Sequence, residues 1–207
     1  MATTWITQEE TARPKAAPVP WRQGARALAR RFGTTGLRAV QDPENPERWA
    51  VTDSYGLRFF GPDTIEGQAL TAYHEAEPIR EPGRLVVWVW RSGTNVMAPD
   101  TARAMGWDSV ARIIGQVEAP HDHDTGVPIT PVQAVGIDYT ADTSKDPIVQ
   151  ALDADGQRLA LFRRSLLGGL LDPTETLWVA TPLKPAAVRN DDGDLVGIIM
   201  PIRDSDL

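Results

Sequence analysis

The chain has 207 residues, of which 42% are hydrophobic, and its formal net charge is −7. It contains no cysteine, which excludes disulfides, thiolate metal sites and thiol nucleophiles. No apolar run approaches the roughly 18 residues of a membrane span, and Glu9 and Glu10 stand where a secretory leader is basic and then apolar. We therefore expect a cytoplasmic protein without a membrane partner, with room for one large domain or two small ones.

The N-terminal region combines a loose segment with a basic helix. Arg13–Pro20 contains three prolines, and residues 1–19 are predicted to form an extended or loose segment. A helix is predicted over Trp21–Phe32, with Arg22, Arg26 and Arg30 within an arc of about 80°. Apolar residues occupy the opposite side. This pattern fits either a solvated polar face or a row of positive charge that follows a phosphate backbone.

Short strands and turns are predicted for the next part of the chain. Leu37–Val40 has the pattern of a strand, and Asp42–Glu47 has the composition of a turn. Arg48–Phe60 predicts two strands joined by a turn at Thr52–Leu57. Gly61–Pro82 is polar and irregular, so we predict a loop there with at most one strand.

A strand, a turn and a second helix are predicted in the middle of the chain. Arg84–Trp90 is β-branched and aromatic and is the strongest strand in the sequence. Arg91–Asn95 predicts a turn, and a helix over residues 100–115 is predicted to begin with Asp100 as its N-cap. Gln116–Pro131 then has the composition of a linker between two halves of the chain.

This linker contains the one cluster with metal-ligand chemistry, His121-Asp122-His123-Asp124. Imidazole and carboxylate groups are ligands of zinc, manganese and nickel. Adjacent ligands on a loop seldom converge on one ion, and His74 is the remaining histidine. A solvated loop is therefore favoured, and we predict no metal; a metal-dependent enzyme built on His121 and His123 is the weakest alternative.

The last third of the chain predicts a series of strands and one short helix. Strands are expected at Val132–Tyr139 and Ile148–Leu152, with a hairpin turn after the second. From Arg158 the order is strand, helix over Arg163–Leu171, and three further strands. These run over Thr176–Ala180, Ala186–Val188 and Leu195–Met200, with a turn at residues 190–193 before the last of them.

The C-terminal order resembles the final half-domain of the bacterial sliding clamp, the ring-shaped processivity factor of replicative DNA polymerases. Chains of that family end in an apolar strand that runs into Met-Pro-x-Arg, which stands here as Met200-Pro201-Ile202-Arg203. In that family, the turn that joins two of the strands often has the sequence Thr-Asp-x-Tyr-Arg-Leu. This chain has Thr-Asp-Ser-Tyr-Gly-Leu over Thr52–Leu57, with Gly56 in place of the arginine. The chain is shorter than two full domains of that family, so the resemblance implies an abbreviated clamp, such as a phage or plasmid version.

The resemblance implies a fold and a domain organisation. It implies an α+β protein of β-rich, clamp-like domains, in which short helices pack on antiparallel sheets. We predict a first clamp-like domain over residues 20–118, a linker over 119–131 and a second domain or half-domain over 132–207.

The resemblance also implies two sites and their partners. In the family, polymerases and other partners bind through short peptides in a hydrophobic pocket, which implies Thr52, Tyr55, Leu57, Met200, Pro201, Ile202 and Arg203 as pocket residues. Clamps encircle double-stranded DNA as rings, which implies a homo-oligomer with non-specific DNA contacts. The predicted DNA-contacting residues are Arg22, Arg26, Arg30, Arg31, Arg163 and Arg164.

The sequence contains no recognisable catalytic motif. It has no phosphate-cradling glycine-rich loop, no Gly-x-Ser-x-Gly and no His-Glu-x-x-His. We therefore expect a scaffold protein that is not an enzyme and uses no cofactor. The alternative is a β-rich structural subunit of a phage virion or a similar assembly, which would self-associate through its N-terminal arm and its strand edges.

Overall fold

The computed structural model describes residues 19–32, 36–76, 86–91, 94–99, 106–139 and 145–203. The helices in these ranges are α1 (Val19–Phe32), α2 (Ile65–Ala76), α3 (Trp107–Glu118) and α4 (Arg164–Leu170). None of these described helices is both long enough and apolar enough to cross a bilayer.

Twelve strands lie in the described ranges, in groups that follow each helix. The first five are β1 (Gly36–Gln41), β2 (Trp49–Thr52), β3 (Gly56–Phe60), β4 (Val86–Arg91) and β5 (Thr94–Pro99). The others are β6 (Val132–Ala134), β7 (Gly136–Tyr139), β8 (Ile148–Leu152), β9 (Arg158–Arg163), β10 (Thr176–Val179), β11 (Ala186–Arg189) and β12 (Leu195–Ile199). The strand pairs with a described register are antiparallel, which confirms the predicted α+β class of antiparallel sheets with short helices.

The chain divides into two compact units that alternate along the sequence. The first unit takes in the described parts of Met1–Arg30, Thr34–Asp53 and Phe59–Asp108. The second takes in Arg31–Gly33, Ser54–Arg58 and the chain from Ser109 onward. The predicted domain boundaries at residues 118 and 132 stay a prediction.

In the first unit, the antiparallel strands follow the order β5-β4-β1-β2. The buried side chains of Val40, Trp49 and Val51 form part of its core. Helices α1 and α2 approach closely at Gly24, where a Cβ atom would lie 2.3 Å from the Cβ of Ala69. A larger residue at position 24 would therefore separate the two helices.

The second unit contains two groups of strands. Residues Gly56–Arg58 of β3 pair with β12, and the order continues through β11 and β10 to β6. A separate three-stranded sheet has the order β7-β8-β9. The core of the second unit includes the fully buried side chains of Phe162, Leu170 and Ile198.

Four predicted elements differ in the structure. Residues 61–82 were predicted as a loop with at most one strand, but Ile65–Ala76 forms α2. The Oγ1 of Thr64 accepts a hydrogen bond from the Gly67 N–H at 3.0 Å and so caps the first turn of this helix. The run Val132–Tyr139 is divided at Val135 into β6 and β7, which belong to different sheets.

The second predicted helix also begins later than the sequence indicates. Gly106 is not helical and α3 begins at Trp107, whereas Asp100, the predicted N-cap, lies outside the described residues. The predicted turn at Arg91–Asn95 is in part strand, because β4 extends to Arg91 and β5 begins at Thr94.

Candidate functional site

The C-terminal Met-Pro-x-Arg segment is attached to two other elements of the second unit. The Met200 N–H donates to the Tyr55 carbonyl at 2.8 Å, and the Ile202 N–H donates to the Leu161 carbonyl at 2.8 Å. The first bond continues the β3–β12 register, in which Ile199 lies opposite Gly56. Residues directly opposite each other in an antiparallel pair project from the same face. The hydrogen bond therefore places Tyr55 and Met200 next to each other at the end of this strand pair.

Both of these side chains are open to solvent. The exposed fraction is 67% for Tyr55 and 37% for Met200, while Pro201 and Ile202 are half-buried. These four residues are called the Tyr55–Met200 surface below. An aromatic ring beside a thioether forms an apolar surface that adapts to different ligands.

The remaining predicted pocket residues have different surroundings. Leu57 is buried, and Arg203 is exposed beyond the end of β12. Thr52 is also buried and belongs to the first unit, whereas the other predicted pocket residues belong to the second. The roles of Thr52, Leu57 and Arg203 in a pocket stay predictions.

The backbone next to the Tyr55–Met200 surface is shaped by a non-glycine residue with positive φ. Ser54 has φ = 83°, in the left-handed region that side chains other than glycine, asparagine and aspartate rarely adopt. Such strained residues persist only where the surrounding structure determines them. Here the strained residue immediately precedes Tyr55.

Gly56 departs from the clamp pattern for a packing reason. A Cβ atom at this position would lie 2.0 Å from Cδ1 of Leu170 and 3.2 Å from Cδ1 of Leu166, both on α4. Such distances are below van der Waals contact, so a side chain at position 56 would require the buried Leu170 side chain to move. An arginine at position 56 would therefore disturb this contact between β3 and α4.

The nearby Arg58 is an interior structural residue. Its Nη1 donates to the Leu170 carbonyl at 2.7 Å and to Oε2 of Glu175 at 2.6 Å. Its Nη2 donates to the other Glu175 oxygen and, at 3.1 Å, to Oδ2 of Asp172. The side chains of Arg58 and Glu175 are each only 8% exposed. The bond to the Leu170 carbonyl ties the C-terminal end of α4 to β3, and the bidentate pair with Glu175 ties the segment after the helix to the same strand.

Arg31 extends the same network from the end of α1. Its Nη1 donates to Oδ1 of Asp172 at 3.0 Å and to the Gly169 carbonyl at 3.4 Å. Burial raises the pKa of Asp172, but the hydrogen bond and charge of Arg31 and the charge of Arg58 outweigh it and lower the pKa below the ordinary value of 3.8. The predicted DNA contact of Arg31 stays a prediction, and the structure gives this side chain an intramolecular partner.

The other predicted DNA-contacting arginines lie on the surface where they are described. Arg26 and Arg30 are exposed on α1, and the side chain of Arg22 lies outside the described part of the chain. Arg163 and Arg164 are exposed where β9 meets α4. The guanidinium carbon of Arg164 lies 5.2 Å from the centroid of the Tyr139 ring, within the range of a cation–π contact.

The His121–Asp124 cluster lies in a turn that is held together by hydrogen bonds to the Asp122 side chain. The Asp122 carboxylate accepts hydrogen bonds from the Thr125 N–H at 2.8 Å, the Thr125 hydroxyl at 2.8 Å and the Asp124 N–H at 3.0 Å. The hydrogen bonds from Thr125 are the main reason that the pKa of Asp122 is lowered. Within the described ranges, no group of three His, Cys, Asp or Glu residues is arranged to hold a metal ion. Asp122 therefore shapes the loop.

A shallow groove in the second unit was not predicted from the sequence. Its cavity volume is about 350 Å³, and Arg189 crosses its rim to an oxygen of Glu118 at 3.3 Å. Its residues come from distant parts of the sequence: Val117, Glu118, Thr130, Pro131, Trp178, Ala187, Arg189 and Gly193. No local pattern could therefore have identified it.

Comparison with known proteins yields a remote structural similarity. No protein-family model matches the chain, and no curated protein is significantly similar to it. Among solved structures, it is similar to a protein of Eubacterium rectale ATCC 33656 provisionally named as a DNA polymerase III beta subunit, with 10% identity and a TM-score of 0.30. The match covers 90% of this chain and 64% of that protein, so this chain spans less than two thirds of its length. Values this low carry no argument about fold or function.

Proposed function

We propose that this protein is a non-enzymatic scaffold of the sliding-clamp kind, which binds apolar peptide segments of partner proteins at the Tyr55–Met200 surface. The observation that carries the proposal is the pairing of the Met-Pro-x-Arg segment with the turn before β3. The Met200–Tyr55 hydrogen bond of 2.8 Å brings together two motifs that are separated by most of the sequence. Each motif alone is short, and their juxtaposition in one unit supports a shared role.

The physical character of the surface supports peptide binding. The backbone of the segment from Met200 to Ile202 is held by hydrogen bonds to the carbonyls of Tyr55 and Leu161. Because this backbone is already fixed, little conformational entropy is lost when a ligand binds. Its exposed ring and thioether offer the kind of contact that dominates binding energy at interfaces. A peptide with leucine and phenylalanine anchors is the ligand class that fits this chemistry.

Sequence-independent contact with DNA is the second part of the proposal. It is supported by the exposed arginine pairs Arg26/Arg30 and Arg163/Arg164. Arg22 is included on its position in the sequence, and Arg31 is expected to contribute least because Asp172 already binds it. Arginines on an acidic protein of net charge −7 give local, salt-sensitive contacts to phosphates.

Peptide binding can be tested by fluorescence anisotropy with a labelled peptide that carries leucine and phenylalanine anchors. We expect saturable binding to the wild type and at least about tenfold weaker binding to Tyr55→Ala/Met200→Ala, because two exposed contacts are lost. The matched control is Val127→Ala/Leu183→Ala, which removes two other exposed apolar side chains of the second unit. Absence of saturable binding, or an equal loss in the control, contradicts the proposal.

A further inference from the structure

Exposed apolar side chains are concentrated in one short segment of the second unit. In the described part of the chain, five of the nine exposed large apolar side chains are Val127, Val132, Val135, Ile137 and Tyr139. The last two belong to β7, one of the two edge strands of the sheet β7-β8-β9. Single exposed apolar residues are ordinary, but a cluster on a sheet edge indicates an interaction surface.

The buried layer of this sheet continues outward to β7 and ends there. Tyr139 lies opposite Val149, which lies opposite Phe162, and these two inner neighbours are fully buried. Opposed residues share a face, so Tyr139 lies on the core face of the sheet. Yet it is 57% exposed.

Ile137 repeats this arrangement two residues earlier. It lies opposite Ala151, which lies opposite Ala160, and both alanines are buried. Ile137 is 39% exposed although it shares their face. The core layer of the sheet is therefore open at its β7 edge, and no described strand pairs with that edge.

We infer that β7 pairs with β7 of a second copy of this chain, in antiparallel orientation around a two-fold axis through Ile137. In this register Ile137 faces Ile137 of the second copy, and Tyr139 faces Val135. Asp138 faces Gly136, so no two carboxylates are opposed. A shift that centres the axis on Asp138 would oppose two aspartates, which is unfavourable. The two three-stranded sheets then form one six-stranded sheet with a continuous apolar layer.

The strand has only four residues, so the pairing is weak. Sedimentation velocity over a concentration series should show a reversible monomer–dimer equilibrium for the wild type. Ile137→Lys places like charges opposite each other and should weaken the dimer about tenfold or more. Leu183→Lys is the matched control, since Leu183 is 64% exposed and lies outside the edge, and it should leave the equilibrium unchanged.

A cysteine variant tests the register without a charge at the edge. The chain has no cysteine, so Ile137→Cys introduces a single thiol at the proposed axis. Under mild oxidation it should form a disulfide-linked dimer much faster than Leu183→Cys or Asp138→Cys. A wild type that stays monomeric at every concentration overturns the inference. So does a dimer that Ile137→Lys leaves unchanged, or cross-linking of Ile137→Cys no faster than in the two controls.

Discussion

Two sets of arginines in this chain have opposite surroundings. Arg58 and Arg31 lie at the C-terminal end of α4, where they donate to carboxylates and to helix carbonyls. Arg26 and Arg30 on α1 are exposed. Arg31 immediately follows Arg30 in the sequence, yet only Arg31 bonds Asp172. Position in the fold, and not residue type, therefore separates the structural arginines from those exposed to a partner.

The largest effect that distinguishes the two sets is expected from Arg58→Met. It leaves the Glu175 carboxylate buried without its main partner, which should destabilise the fold by about 3–5 kcal/mol. Urea unfolding measures the loss. The double variant Arg58→Met/Glu175→Leu removes the stranded charge and should recover much of the stability. If the single variant unfolds like the wild type, the buried pair does not stabilise the fold.

The next largest effect is expected from Gly169→Ala, at the contact between α4 and the end of α1. A Cβ atom at this position would lie 1.7 Å from the Arg31 carbonyl oxygen. We expect a loss of about 1–3 kcal/mol from the resulting displacement. Gly168→Ala is the matched control, because its Cβ would meet no atom within 4 Å. Replacing a helical glycine there should be neutral or stabilising in thermal unfolding. Equal effects of the two substitutions would contradict the close contact.

A smaller effect concerns the pH dependence of stability. The pKa of Asp172 is lowered in the folded state, so its contribution is complete above the ordinary value of 3.8 and is lost as the pH falls below it. Asp172→Asn should therefore flatten the acid limb of the stability curve. The effect is modest because the side chain is 42% exposed. Chemical unfolding between pH 2 and pH 6 would measure it, and an unchanged acid limb would remove Asp172 from the network.

The smallest effect on stability is expected for the exposed set. Arg26→Gln/Arg30→Gln should change the free energy of unfolding by less than about 0.5 kcal/mol. The same variant should reduce the salt dependence of DNA binding, by a slope of roughly 0.9 for each lost phosphate contact. Binding to a DNA duplex over a salt series measures this slope. A slope equal to that of the wild type would assign both arginines to the solvated face.

Periodicity and turn residues predicted most of the strands, and the family resemblance implied the α+β class. The C-terminal elements were predicted closely, because apolar runs there alternate with clear turn signals such as Asn190–Gly193, where Gly193 has φ = 86°. Helix α2 was missed because the residues around its N-cap, Thr64, are polar and irregular, and this composition is typical of a loop. The division of Val132–Tyr139 depends on which sheet each half joins, and that is decided by long-range pairing.

The candidate site was predictable only in part. The sequence placed Tyr55 and Met200 in one site through a family resemblance, and the hydrogen bond between their backbones brings them together. It did not assign Arg58, whose partner Glu175 is 117 residues away. A buried pair of this kind leaves no local sequence pattern, since arginine and glutamate are both residue types that are usually found on the surface.

Peptide binding at the Tyr55–Met200 surface can be observed directly by an NMR titration of the methionine methyl groups with the leucine- and phenylalanine-containing peptide. The chain has four methionines, so the spectrum is simple, and Met200→Leu identifies the Met200 signal. We expect the Met200 signal to shift progressively and to saturate with added peptide. A spectrum in which Met200 stays unchanged at saturating peptide would contradict it.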